Sequence, residues 1–139
     1  MSLFLFLGVD NQLKRIVTNN PLANDWWQKS ESAYLKVTFV EGNLTALLTE
    51  ARNLIHAGWK LLNHPLSSSI KPNESPFKTL VLVKTTTGLD LESLAAIEAS
   101  YEAVRKLGSF PGGNPRVLAD LQLIDLDLCK PLREQLWEE

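Results

Sequence analysis

Between positions 63 and 78 the chain reads NHPLSSSIKPNESPFK, a stretch that places His64, Ser67, Ser68, Ser69, Lys71, Asn73 and Glu74 close together. Three roles suit such a set. His64 has an imidazole that titrates near neutrality, so it can act as general base or acid. A loop serine would then be its nucleophile and Glu74 the orienting carboxylate, the division of labour of a triad. Alternatively, the serine hydroxyls and backbone N–H groups would receive an anion, with a lysine adding charge. The third role is that of a polar turn with no ligand. No G-x-S-x-G elbow singles out one serine as nucleophile, so the three stay open.

Two shorter constellations join this loop. Thr18-Asn19-Asn20-Pro21 offers two amides, of which Asn20 suits a helix cap with Pro21 at the first helical position. Asn19 is left without a capping role and is a candidate for a ligand carboxylate, amide or phosphate. Glu41-Gly42-Asn43 offers a carboxylate just before a second cap, where the helix dipole favours it. In a dinucleotide-binding unit that acid would hold a ribose. TNNPLA, however, is no glycine-rich phosphate cradle, and no cofactor is expected. His56 sits where a helix C-terminus would favour an imidazolium. Two histidines at this spacing, without cysteine or a paired carboxylate motif, make no metal signature.

The elements that must position these groups follow from periodicity. LKRIVTN (13–19), LKVTFVE (35–41), WKLLNH (59–64) and FKTLVLVK (77–84) read as strands; the last has the continuous apolar middle of a strand covered on both faces. Helix spacing runs through Leu44, Leu47, Leu48, Ala51, Leu54 and Ile55, with Gly58 at the cap position. A second helix starts at Asp90 and runs to Lys106, turning Leu94, Ile97, Tyr101 and Val104 inward. Asn114-Pro115 opens a helix to about Leu123, and a further one is expected from about Asp127. Residues 21–30 are another helical candidate, in which Trp26 and Trp27 cannot both face one core.

This order predicts an α/β fold: a single-domain sandwich with a mixed, mainly parallel sheet of about four strands flanked by helices. The 65–76 segment is too proline-rich for a crossover helix, so strand 77–84 should run antiparallel to 59–64. The ends of the first three strands and the polar loop would then gather on one edge of the sheet. Ligands of open α/β folds bind outside the carboxyl ends of strands.

The bulk numbers narrow the classes of partner. At 139 residues with 45% hydrophobic and 22% charged side chains, the chain fits one ordinary globular domain. A net charge of -2 with scattered Lys and Arg provides no nucleic-acid footprint. Cys129 is the single cysteine, so no intramolecular disulfide forms, which suits a reducing cytoplasm. LFLFL near the N-terminus is shorter than a signal-peptide core or a membrane span, so no membrane partner is expected. Residues 1–12 read as an added edge strand or a loosely ordered leader, and the apolar run is a candidate for pairing with a second copy in a homodimer.

IVTNNPL (16–22), VEGNL (40–44), ARNLIHAGWKLLNHPLSSSIKPNESPFK (51–78) and DLQLIDL (120–126) together resemble the GrdX family. Its members are small proteins associated with gene clusters for glycine, sarcosine and betaine reductase. The likeness runs from Lys14 to about Leu128, and the HPL…S-x-KPNE-x-P block is its specific part. It implies hallmark positions at Thr18, Asn19, Asn20, Pro21, Glu41, Gly42, His64, Pro65, Ser69, Lys71, Pro72, Asn73 and Glu74. The chain departs from the family at Asn63, where threonine is commoner, and in the absence of a glycine around Ser67–Ser68.

Residues and resemblance together predict a cytoplasmic accessory protein. Its pocket for a small polar or anionic ligand would be lined by Asn19, Asn20, Glu41, His64, Ser69, Lys71, Asn73 and Glu74. The alternatives are a small hydrolase or transferase using His64 and a loop serine, and a scaffold or chaperone binding reductase subunits through the Trp26–Trp27 surface and the C-terminal helices.

Overall fold

A computed structural model describes residues 12–68 and 70–136. The element order is β1 (Lys14–Thr18), α1 (Pro21–Gln28), β2 (Leu35–Phe39), α2 (Leu44–His56), β3 (Trp59–Leu61), β4 (Thr79–Lys84), α3 (Leu91–Leu107) and α4 (Pro115–Gln135). The 1–12 leader of the sequence reading lies outside the described residues except for Gln12.

The four strands form one sheet in the order β2-β1-β4-β3. β1 and β2 are parallel, whereas β4 runs antiparallel to both β1 and β3. The sheet is therefore mixed, with one parallel and two antiparallel pairs, which corrects the expectation of a mainly parallel one. The cause is the 62–78 connection. It holds no helix, so β4 returns beside β3 as a reversed strand and offers its other edge to β1.

Helices cover both faces. On one face Ile16, Leu35, Val81 and Val83 pack against Ala23 and Trp27 of α1 and against Leu126 and Cys129 of α4. On the other, Val17, Leu80 and Leu82 meet Leu47, Leu48, Ala51 and Ile55 of α2 and Ile97 of α3. β4 is central and buried on both sides, which is why its sequence is apolar without alternation. Trp27 is wholly buried while Trp26 is half-exposed, the two rings meeting edge to face at 5.1 Å.

The expected caps form. Asn20, Asn43, Asp90 and Asn114 each accept a backbone N–H of their helix's first turn, contacts worth about 1 kcal/mol apiece. Gly58 closes α2 at φ 98°, a conformation that favours glycine. The C-terminal segment differs from the sequence reading, since Pro115–Gln135 is one helix with Pro131 inside it. Asp125 and Asp127 interrupt the apolar stripe and read as a break. Asp125 nevertheless points into the interior, where polar partners await it.

Because β1, β2 and β3 share one direction and β4 the reverse, the C-terminal ends of the first three lie on the same edge as Thr79, the start of β4. That edge carries the polar groups.

Candidate functional site

At the end of β1 three polar side chains lock the chain. Thr18 and Thr79 are register partners whose hydroxyls meet at 2.7 Å. Asn19 donates through Nδ2 to the carbonyls of Gly42 (3.3 Å) and Pro76 (2.8 Å) and accepts the Lys78 N–H at 2.9 Å. It thus ties the end of β1 to the β2–α2 turn and to the run into β4. Asn20 accepts the Leu22 N–H as the cap of α1 and donates to Asp125 Oδ2 at 2.9 Å and to the Gln122 carbonyl at 2.8 Å. Both amides are buried and committed to these bonds.

Asp125 marks the centre of the site. Its Oδ2 also accepts the Thr79 hydroxyl at 2.8 Å, while Oδ1 receives no donor from the described residues. The carboxylate lines a cavity of about 220 Å³ together with Asn63, Ser67, Ser68, Lys78 and Thr79, with Leu128, Cys129 and Leu132 as the apolar wall. A smaller hollow of about 20 Å³, room for one water, adjoins it through the shared residues Ser68, Lys78, Asp125 and Leu128, and includes Lys71. Polar groups converging on an apolar-walled concavity are the usual form of a small-molecule site.

Charge sharpens the description. Burial pushes the Lys78 ammonium below the ordinary lysine range, and the Asp125 carboxylate works in the opposite direction. Ion pairs among the described residues join Arg52 to Glu98, Arg105 to Glu102 and Lys130 to Asp127; none joins Lys78 to Asp125. Lys78 Nζ instead donates to Ser68 Oγ at 3.4 Å. Cys129, behind them, accepts the Trp27 indole N–H at 3.3 Å, and burial raises its thiol to about 11, so it is no nucleophile near neutrality.

The remaining sequence candidates lie elsewhere on this edge. His64 is exposed past the end of β3, its Nδ1 accepting the Leu66 N–H at 3.0 Å, and it faces a separate groove of about 650 Å³ with Lys60, Asp90 and Glu92. Glu41 is exposed beyond β2, the opposite outer strand, roughly 14 Å away if three strand spacings are counted. The structure does not bring these two together. Glu74 folds back on its own turn, accepting the Lys71 N–H at 2.8 Å. Asn73 is half-buried with Oδ1 unpartnered. Ser69 lies outside the described residues.

Lys78, Thr79 and Asp125 are the site residues that sequence reasoning missed. Lys78 was absorbed into a strand and Asp125 into a helix break. The available signal was an acid at a core-facing helix position, which stands only if donors wait for it.

Among the described residues no helix is long and apolar enough to cross a membrane. Neither comparison with curated proteins nor comparison with solved structures gives a match. The family model described as GrdX-like protein matches residues 15–132, which takes in all of β1 but Lys14, the loop before β4 and the part of α4 carrying Asp125. The chain belongs to the GrdX-like protein family.

Proposed function

We propose that this GrdX-like chain is a cytoplasmic accessory protein of glycine, sarcosine or betaine reductase metabolism that binds a small zwitterion between β4 and α4. Lys78 meets the ligand's carboxylate and Asp125 its ammonium group, with Ser67 and Ser68 as neutral partners and Lys71 at the adjoining mouth. One observation carries the reading: a cation and an anion line the same cavity without forming an ion pair. A buried carboxylate and a half-buried ammonium left without an ion pair are costly, and a ligand carrying the complementary pair relieves both.

Calorimetric titration with glycine, sarcosine, betaine and acetyl phosphate at millimolar concentration tests it. Heat is expected from at least one amino-acid ligand, and it should vanish in Lys78→Met and in Asp125→Asn. Silence from all four would remove the reading.

A second reading makes reductase subunits the partners through the α1–α4 surface. It is favoured by Trp26, half-exposed with Lys130 and Arg133 placed over its ring at 5.9 and 5.3 Å. Trp26→Ala should then abolish co-purification with a reductase subunit while leaving ligand heat unchanged.

A further inference from the structure

The pair Ser68–Lys78 is unexplained by binding alone. Ser68 Oγ accepts the Ile70 N–H at 3.3 Å, which occupies one lone pair and leaves the hydroxyl proton free to turn toward Lys78 Nζ, 3.4 Å away. A serine facing a lysine across a sheltered cavity is one of the recognised variants of the nucleophile–base arrangement. Such contacts are commonly long before substrate binds. Ser68 lines both hollows and is itself only half-buried.

We propose that Ser68 and Lys78 form a nucleophile–base dyad that hydrolyses a small amino-acyl ester. The choice of ester rests on the reading above, in which Asp125 receives an ammonium group; Ser68 lines the same hollows as Asp125, which puts the carbonyl of an ester held by its amine in the space Ser68 borders. An ester has no carboxylate for an ammonium to meet. In the fraction of Lys78 that is unprotonated, which grows as pH rises, the amine takes the Ser68 proton as Oγ bonds to the carbonyl carbon. The C–O bond to the alcohol then breaks and the alcohol leaves with that proton, so the acyl group rests on Ser68. Water, giving a proton to Lys78, attacks the acyl-serine and releases the amino acid, and Ser68 regains its hydrogen. Ester and water become acid and alcohol with no redox change. Burial favours the neutral amine that the base role needs.

The groups facing Lys78 are Asp125 and Cys129 from α4 and Thr79, Ser67 and Ser68 from β4 and its loop, with Lys71 across the adjoining hollow. Cys129 keeps its proton below about 11, so Lys78 itself governs the alkaline limb.

The test treats the whole chain with a fluorophosphonate and maps the adduct by mass spectrometry. Ser68 should carry it, at a rate that rises with pH. Lys78→Met should slow labelling roughly a hundredfold, while His64→Ala leaves it unchanged. Glycine ethyl ester should be hydrolysed faster than its N-acetyl counterpart, and Asp125→Asn should erase that preference. No adduct, an adduct spread over the loop serines, or a Ser68 adduct indifferent to Lys78→Met would overturn the dyad. The pH profile of the unsubstituted protein decides the matter even where a variant fails to fold. Heat from glycine without an adduct removes the dyad and spares the binding reading; a Lys78-dependent adduct without heat does the reverse.

Discussion

Asn20 and Asp125, 105 residues apart in the chain, meet at 2.9 Å in the buried layer between the end of β1 and α4. The same amide caps α1, so one side chain fixes a helix start and supplies a buried carboxylate with a donor. Two substitutions separate these tasks. Asn20→Ser keeps a capping oxygen and loses the amide donor; Asn20→Ala loses both. Urea unfolding should show Asn20→Ser destabilised by about 1–3 kcal/mol for the deprived carboxylate, and Asn20→Ala by about 1 kcal/mol more for the cap. Equal losses would mean the capping oxygen contributes nothing, and an Asn20→Ser variant as stable as the parent would mean the same of the Asp125 contact.

Lys78 gives the protein an alkaline signature. Its folded pKa lies below the unfolded value of 10.5, so between the two the unfolded state binds more protons. Stability must therefore rise with pH through that window, because proton release favours the folded form there. Below the folded pKa the full cost of the buried ammonium is present. Lys78→Met should be more stable than the parent at neutral pH and lose the alkaline rise, which chemical unfolding across a pH series would detect.

Each outer strand has one backbone N–H taken by a side chain. On β2 the outward Val37 N–H is taken by Glu31 Oε2 at 2.9 Å; on β3 the Leu61 N–H is taken by Ser93 Oγ at 2.9 Å. Open edges invite pairing with another chain. Glu31→Ala should leave the chain folded and raise its tendency to associate beyond that of the parent, visible as a concentration-dependent mass in light scattering. A variant whose mass tracks the parent's at every concentration would show that Glu31 does not guard the edge.

The residues that could be read locally were those whose role is local. Caps at Asn20, Asn43, Asp90 and Asn114 follow from two or three neighbouring letters, as does the antiparallel return of β4 after a proline-rich segment. The polar loop was placed at the correct edge for the same reason. Asp125 was opaque because its burial is tolerable only through donors from Asn20 and Thr79, far away in sequence. Asn63 was equally hidden: its amide extends the β3–β4 ladder, bonding Thr79 O and Val81 N where the backbone of β3 has already turned away. Which strand β4 would choose as its second neighbour, and hence the balance of parallel and antiparallel pairs, depended on chain closure rather than on any motif.

The central position of β4 bears on the selectivity that the zwitterion reading predicts. Thr79 is held by β1 through the ladder and the paired hydroxyls, and the Lys78 backbone is pinned by Asn19; Asp125 is clamped by two donors. Neither anchor can shift without tearing bonds on two sides. On the zwitterion reading proposed above, the Asp125 carboxylate is then the fixed jaw of a gauge and the Lys78 ammonium, on its flexible stem, the adjustable one. A guest would be sorted by the span between its own charges within the reach of that stem.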